Sequence, residues 1–260
     1  MVSWLSVIFS AISTILALVV PVVVAIIFCR RTRTPYSTVL VGALTFFVAQ
    51  IVLRIPLLGV AEFYFPLDIT TVPGVITYTA LLALTAALFE ELGRWAGFKF
   101  FRRRGDWNNA VAMGIGHGGI EAILLVGIGL AVNTVILAML AMDIPLEGVL
   151  SDLSPEVLQP LLETPPHMFL LGGLERSMTM LVHVALSILV VSGAARWRYD
   201  FILMAIVAHF FLNFPVNWLA DLSIWAAELY IIIWAMGAWI FIRRSRTEES
   251  LWPIKVDHHS

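Results

Sequence analysis

Eight side chains capable of chemistry lie where the surrounding residues are almost all apolar. Glu90, Glu91 and Arg94 fall in FEELGRW, His117 and Glu121 in IGHGGIEA, His183 in LVHVAL, and His209 and Asn213 in AHFFLNF. A carboxylate beside a histidine can share a water molecule and take its proton. Arg94 is the natural charge partner of Glu90 or Glu91. A second histidine with an asparagine can steady the oxyanion of an acyl-transfer reaction, and His209 and Asn213 have those types. Glu90, Glu91, His117, His209 and Asn213 are therefore the candidate catalytic residues, with Arg94, Glu121 and His183 supporting them. No serine nucleophile elbow or reactive-cysteine context accompanies them, so the set reads as peptide-bond hydrolysis without a covalent nucleophile. The expectation is that no cofactor is needed. Zinc is the alternative, held by His117, His183 and His209 with Glu121, although HExxH is absent.

The elements that carry these groups follow from composition. The chain has 260 residues, 60% hydrophobic and 13% charged, and its mean hydropathy is +0.92. Such a chain is neither disordered, nor a coiled coil, nor an ordinary soluble domain. Its apolar runs predict seven membrane-spanning helices, at about 4–28, 36–60, 74–98, 109–140, 169–194, 200–220 and 223–242, each near the ~20 residues a span needs. The fold class is thus an all-α polytopic membrane helix bundle, read as a single transmembrane domain over 1–260. An outer loop covers 143–168, in which SPEVLQPLLE (154–163) is either a short interfacial helix or a plain loop, and 243–260 forms a cytoplasmic tail. The net charge of −2 offers no basic surface for nucleic acid, and the single Cys29 excludes an intrachain disulfide. The first span has no basic segment before it and ends in RRTR, so it reads as a retained anchor rather than a signal peptide.

Thirteen of the 16 Lys and Arg residues fall in alternate loops or the tail, from Arg30, Arg31 and Arg33 through Lys99 and Arg102–Arg104 to Arg196, Arg198 and the stretch from Arg243. The other loops carry only acids. Positive charge stays inside, so the N terminus is predicted outside and the C terminus in the cytoplasm. At ~1.5 Å of rise per residue, Glu90, His117 and His209 then lie ~13 Å from the cytoplasmic ends of their helices, and Glu121, His183 and Asn213 ~20 Å. Glu90–Arg94, His117–Glu121 and His209–Asn213 are each four apart and share a helix face. One inward-facing polar site nearer the cytoplasm follows. Gly114 and Gly118 make a close-packing step around His117. Arg54, Glu175, Arg176 and Glu228 lie further out and read as a structural ion-pair network. His258 and His259 read as solvent-exposed.

EELGR (90–94), GHGGIEA (116–122) and HFFLN (209–213) resemble the YhfC family of bacterial membrane proteins, which is grouped with CAAX-protease/bacteriocin-processing and PrsW-like intramembrane proteases. The resemblance covers about residues 75–215. It implies that Glu90 and His117 activate water while His209 and Asn213 stabilise the oxyanion. Two departures stand out: the wider group has EExxxR where this chain has EExxR, and Met113 replaces its usual Phe. The resemblance implies an intramembrane endopeptidase of the bacterial plasma membrane acting on a membrane-associated peptide or protein, with a glutamic mechanism favoured. The family was first described as metalloproteases, which keeps zinc as the alternative. A proton-coupled transporter using the Glu/His relay, or a non-catalytic scaffold, are the readings from other classes.

Overall fold

A computed structural model describes residues 2–101, 105–144, 155–248 and 251–252. Arg102, Arg103, Arg104, Ser154, His258 and His259, invoked above, lie outside the described residues, as do parts of the 143–168 loop and of the 243–260 tail. Among the described residues every regular element is a helix and there is no strand. Seven helices are long and apolar enough to cross a membrane: α1 (Trp4–Thr32), α2 (Tyr36–Tyr64), α3 (Val72–Phe100), α4 (Trp107–Ala141), α6 (Met168–Arg196), α7 (Tyr199–Leu222) and α8 (Ile224–Ser245). A short helix, α5 (Pro155–Glu163), precedes α6. The predicted spans are all present, the first two longer by a turn at their C-terminal ends and the others matching within three residues at either end.

Two compact units share these helices: Met1–Val23 with Glu121–Ser177, and Val24–Ile120 with Met178–Ser260. The smaller has a core of Val7, Ile136, Leu137, Leu161 and Phe169. Hydroxyls stitch it, Ser10 and Thr14 meeting Thr134 at 2.7 and 2.9 Å and Ser13 accepting the Gly173 N–H at 2.6 Å. The larger unit packs Val41, Phe98, Met113, Ile188, Ala205 and Ile242, from six different helices, into one core.

Small residues set how closely the larger unit packs. A Cβ on Gly116 would stand 1.9 Å from the Val39 carbonyl oxygen, and one on Gly42 would stand 2.0 Å from that of Met113. The N-terminal half of α4 and the start of α2 therefore touch backbone to backbone. On the opposite side of α4, Gly114 and Gly118 lie against α6 at Val184, Met180 and His183. This is the close approach that glycine permits between helices in lipid, and it wedges His117 between α2 and α6.

α2 is not a regular α-helix. Phe47–Arg54 winds as a π-helix, which a straight apolar run does not foretell. Pro56 lies just beyond it. Proline has no N–H for the carbonyl one turn back, and its ring crowds that oxygen. Widening the preceding turns relieves the conflict, and wide turns of this kind are concentrated at functional sites. Their effect here is to turn Gln50 inward, where it is buried.

Candidate active site

Glu90, Glu91 and Arg94 of α3, His117 of α4, His183 of α6 and His209 of α7 all belong to the larger unit, and none is more than 3% exposed. They form one cluster. Glu90 Oε2 lies 2.9 Å from His117 Nε2, 3.8 Å from Arg94 Nη2 and 4.0 Å from His209 Nε2. Glu91 Oε1 accepts from Arg94 Nη1 and, at 2.7 Å, from His209 Nδ1. Arg94 Nη2 donates to His183 Nδ1 at 2.6 Å. The imidazole of His183 stands 5.4 Å, centroid to centroid, from those of both His117 and His209, and Phe46 closes the side of His117 edge-on at 5.3 Å.

The protons in this cluster can be assigned from donors and acceptors. Thr45 has one hydroxyl proton, which goes to the Gly42 carbonyl at 2.6 Å. His117 Nδ1, 3.0 Å from the same hydroxyl oxygen, must then be the donor, so its Nε2 lone pair faces Glu90 Oε2. Two acceptors at that separation need a cation between them, either a proton or a metal ion. His209 gives its Nδ1–H to Glu91, which leaves Nε2 an open lone pair directed at Glu90. Guanidinium has only donors, so the Nδ1 lone pair of His183 is taken by Arg94. Two carboxylates against one guanidinium leave a net charge of −1 when the histidines are neutral. In a buried site that excess calls for one further positive charge, which a proton on one of the histidines or a bound metal ion supplies. Glu91 Oε2, also buried, has no hydrogen-bond partner in the structure.

One donor atom each from Glu90, His117 and His183 lie within 4.8 Å of one another, a spacing compatible with shared ligation of one ion. The donor set is nitrogen and carboxylate oxygen, which suits zinc. His209, held through Nδ1–H by Glu91, has the carboxylate–histidine arrangement that orients metal-ligating imidazoles.

Not every residue singled out from sequence joins the cluster. Asn213 is the last residue of the helical segment Tyr199–Asn213, just before Pro215, and is exposed with no contact to these groups. It lies one turn beyond His209 in the same helical segment and is exposed where His209 is buried. Glu121 is not an exception of that kind; it ends the regular α-helical part of α4 and, within the smaller unit, meets Arg176 at 3.3 Å, where Arg176 also pairs with Glu175. Arg54, expected in an outer ion-pair network, directs its hydrogen bonds to neutral groups. It donates to Gln50 Oε1 at 2.9 Å, Thr85 at 3.0 Å and the Leu82 carbonyl at 2.7 Å. Two residues that sequence reasoning passed over do touch the site. Thr45 meets His117, and Gln50 Nε2 donates to Glu90 Oε1 at 2.5 Å. The signal for Gln50 was present: a lone amide in an apolar span, four residues before Arg54.

These features define a polytopic membrane protein with a carboxylate–histidine centre buried among its spans. The sequence profile of the YhfC intramembrane metalloprotease family matches residues 16–233, and the chain belongs to that family. It is 32% identical over 224 residues to the uncharacterized membrane protein YhfC of Bacillus subtilis (strain 168), covering 83% of this chain and 85% of the relative. No solved structure matches the chain. The family description says metalloprotease, and so favours the metal-dependent alternative over the metal-free mechanism expected from sequence.

Proposed function

We propose that this protein is a zinc-type intramembrane metallopeptidase that cleaves a membrane-associated peptide or protein. The observation that carries the reading is the facing pair of acceptors, His117 Nε2 and Glu90 Oε2 at 2.9 Å, in a cluster with an excess negative charge. Glu90 and His117 are the central ligands. His209, with its free Nε2, is the readier third ligand, and His183 becomes one when Arg94 releases its Nδ1. Bound there, such an ion supplies Lewis acidity towards the scissile carbonyl and towards water. The chain's own groups do the rest. Glu91 Oε2 is the unoccupied carboxylate oxygen that can take the water's proton and pass it to the leaving amine. Arg94 and the His209 N–H hold Glu91 in place through its other oxygen. The positive charge on alternate loops supports an orientation with the α1–α2 and α3–α4 loops in the cytoplasm.

The test uses protein purified in detergent. Metal content is measured by mass spectrometry, and cleavage is scored on a panel of reporter peptides containing membrane-spanning segments. About one zinc per chain is expected, with cleavage abolished by a chelator, restored by zinc, and absent in Glu90→Ala and His117→Ala. Cleavage that survives complete metal removal, yet is lost in Glu90→Ala, would return the assignment to a glutamic mechanism. Cleavage that survives both substitutions would end the hydrolase reading.

A further inference from the structure

Gln50 is a buried amide that the reaction outlined above leaves without a role, although it makes one of the shortest contacts in the centre. Its side chain lies between two groups of opposite kind. Arg54 can only donate, so it fixes the Gln50 carbonyl Oε1 towards itself at 2.9 Å. The Gln50 amide nitrogen must then face the other way, where Glu90 Oε1, which as a carboxylate can only accept, takes its N–H at 2.5 Å. Arg54 is itself anchored to Thr85 Oγ1 and the Leu82 carbonyl of α3. The direction of every bond in Arg54→Gln50→Glu90 is therefore set, and the amide cannot flip without placing donor against donor and acceptor against acceptor. The π-helical turns over Phe47–Arg54 supply the register that brings Gln50 to Glu90.

We propose that Gln50 is a positioning residue: by occupying Glu90 Oε1, it leaves Oε2 as the single carboxylate oxygen offered to His117 and His209, and so enforces one-oxygen ligation by Glu90. This rests on the metal-dependent reading above. Without the amide N–H, Glu90 is free to rotate and to offer both oxygens, and the coordination number at the centre changes. Outer partners of ligating carboxylates act in this way, and their loss typically weakens metal binding about ten- to a hundred-fold.

The probe is Co²⁺ alone, titrated into chelator-stripped full-length protein in detergent, with affinity and the visible d–d spectrum as readouts. Gln50→Met keeps the size and removes the donor. It is expected to bind Co²⁺ about ten- to a hundred-fold more weakly, with the d–d bands shifted and weakened towards higher coordination, while helical circular dichroism matches wild type. A general loss of stability would lower the melting temperature without moving those bands. Arg54→Met, at a half-buried position, releases the amide instead of removing it and is expected to shift the bands in the same direction by a smaller amount. Should Gln50→Met fail to fold, Arg54→Met decides. Wild-type affinity and an unchanged spectrum in the folded variant would overturn the proposal while leaving the metal centre intact. Failure of the wild-type protein to bind Co²⁺ would overturn both.

Discussion

At the scale of single residues, the centre works through which nitrogen and which oxygen are already committed. His209 has Nδ1–H on Glu91 and Nε2 open, whereas His183 has Nδ1 committed to Arg94. The two histidines should therefore respond differently to substitution. His209→Ala is expected to reduce zinc affinity about a hundred-fold or more, and His183→Ala less, as read by competition with a chromophoric chelator. Equal losses would mean that Arg94 releases His183 in the loaded protein. Asn213 carries the opposite expectation. It is exposed and untouched by the cluster, so Asn213→Ala should keep cleavage within about two-fold of wild type and leave the melting temperature unchanged. A loss comparable to the removal of an oxyanion donor, about a hundred-fold or more, would require α7 to rearrange around substrate.

At the scale of elements, the centre depends on helices that meet without side chains between them. Gly116→Ala places a Cβ 1.9 Å from the Val39 carbonyl, where backbone would have to move. Overpacking of this kind costs about 1–3 kcal/mol. The displacement also pulls Thr45 from His117, so thermal stability and zinc affinity should fall together. Gly129, in the C-terminal half of α4, has nothing within 4 Å of such a Cβ. Gly129→Ala should leave the centre untouched and raise stability by up to about 1 kcal/mol through helix propensity. Thermal denaturation in detergent, run on both variants, checks the pair. The run GIGHGG was legible as a packing surface from its spacing alone. Which glycine faced which helix was not, because that depends on the rotation of α4 about its axis. The π-helical turns of α2 were likewise hidden: Pro56 announces a disturbance, but a break, a kink and a widened turn all answer to it.

At the scale of the whole molecule, the distribution of Lys and Arg predicts which loops meet the cytoplasm. The test is cysteine labelling in intact cells with a membrane-impermeant maleimide. Asp68→Cys, in the α2–α3 loop, should label. Arg244→Cys, at the end of α8, should label only after the membrane is opened. Native Cys29 is 2% exposed and gives little background. The reverse pattern would invert the topology and place the shallow end of the centre outside.

Hydropathy and charge were sufficient for the seven helices, because burying a backbone in lipid leaves the helix as the main solution for an apolar run of that length. Isolated ionisable residues within those runs were sufficient to nominate Glu90, Glu91, Arg94, His117, His183 and His209, because such groups have no place in hydrocarbon without partners. Counting residues from a helix end also gave each group a height. Height along separate helices says nothing about azimuth or where a helical segment ends, however. Asn213 matched His183 in depth and still fell outside, while Gln50 and Arg54, set on another helix, proved to be coupled to Glu90. Those assignments came only from the tertiary contacts, since the direction of a side chain is decided by what packs against its helix.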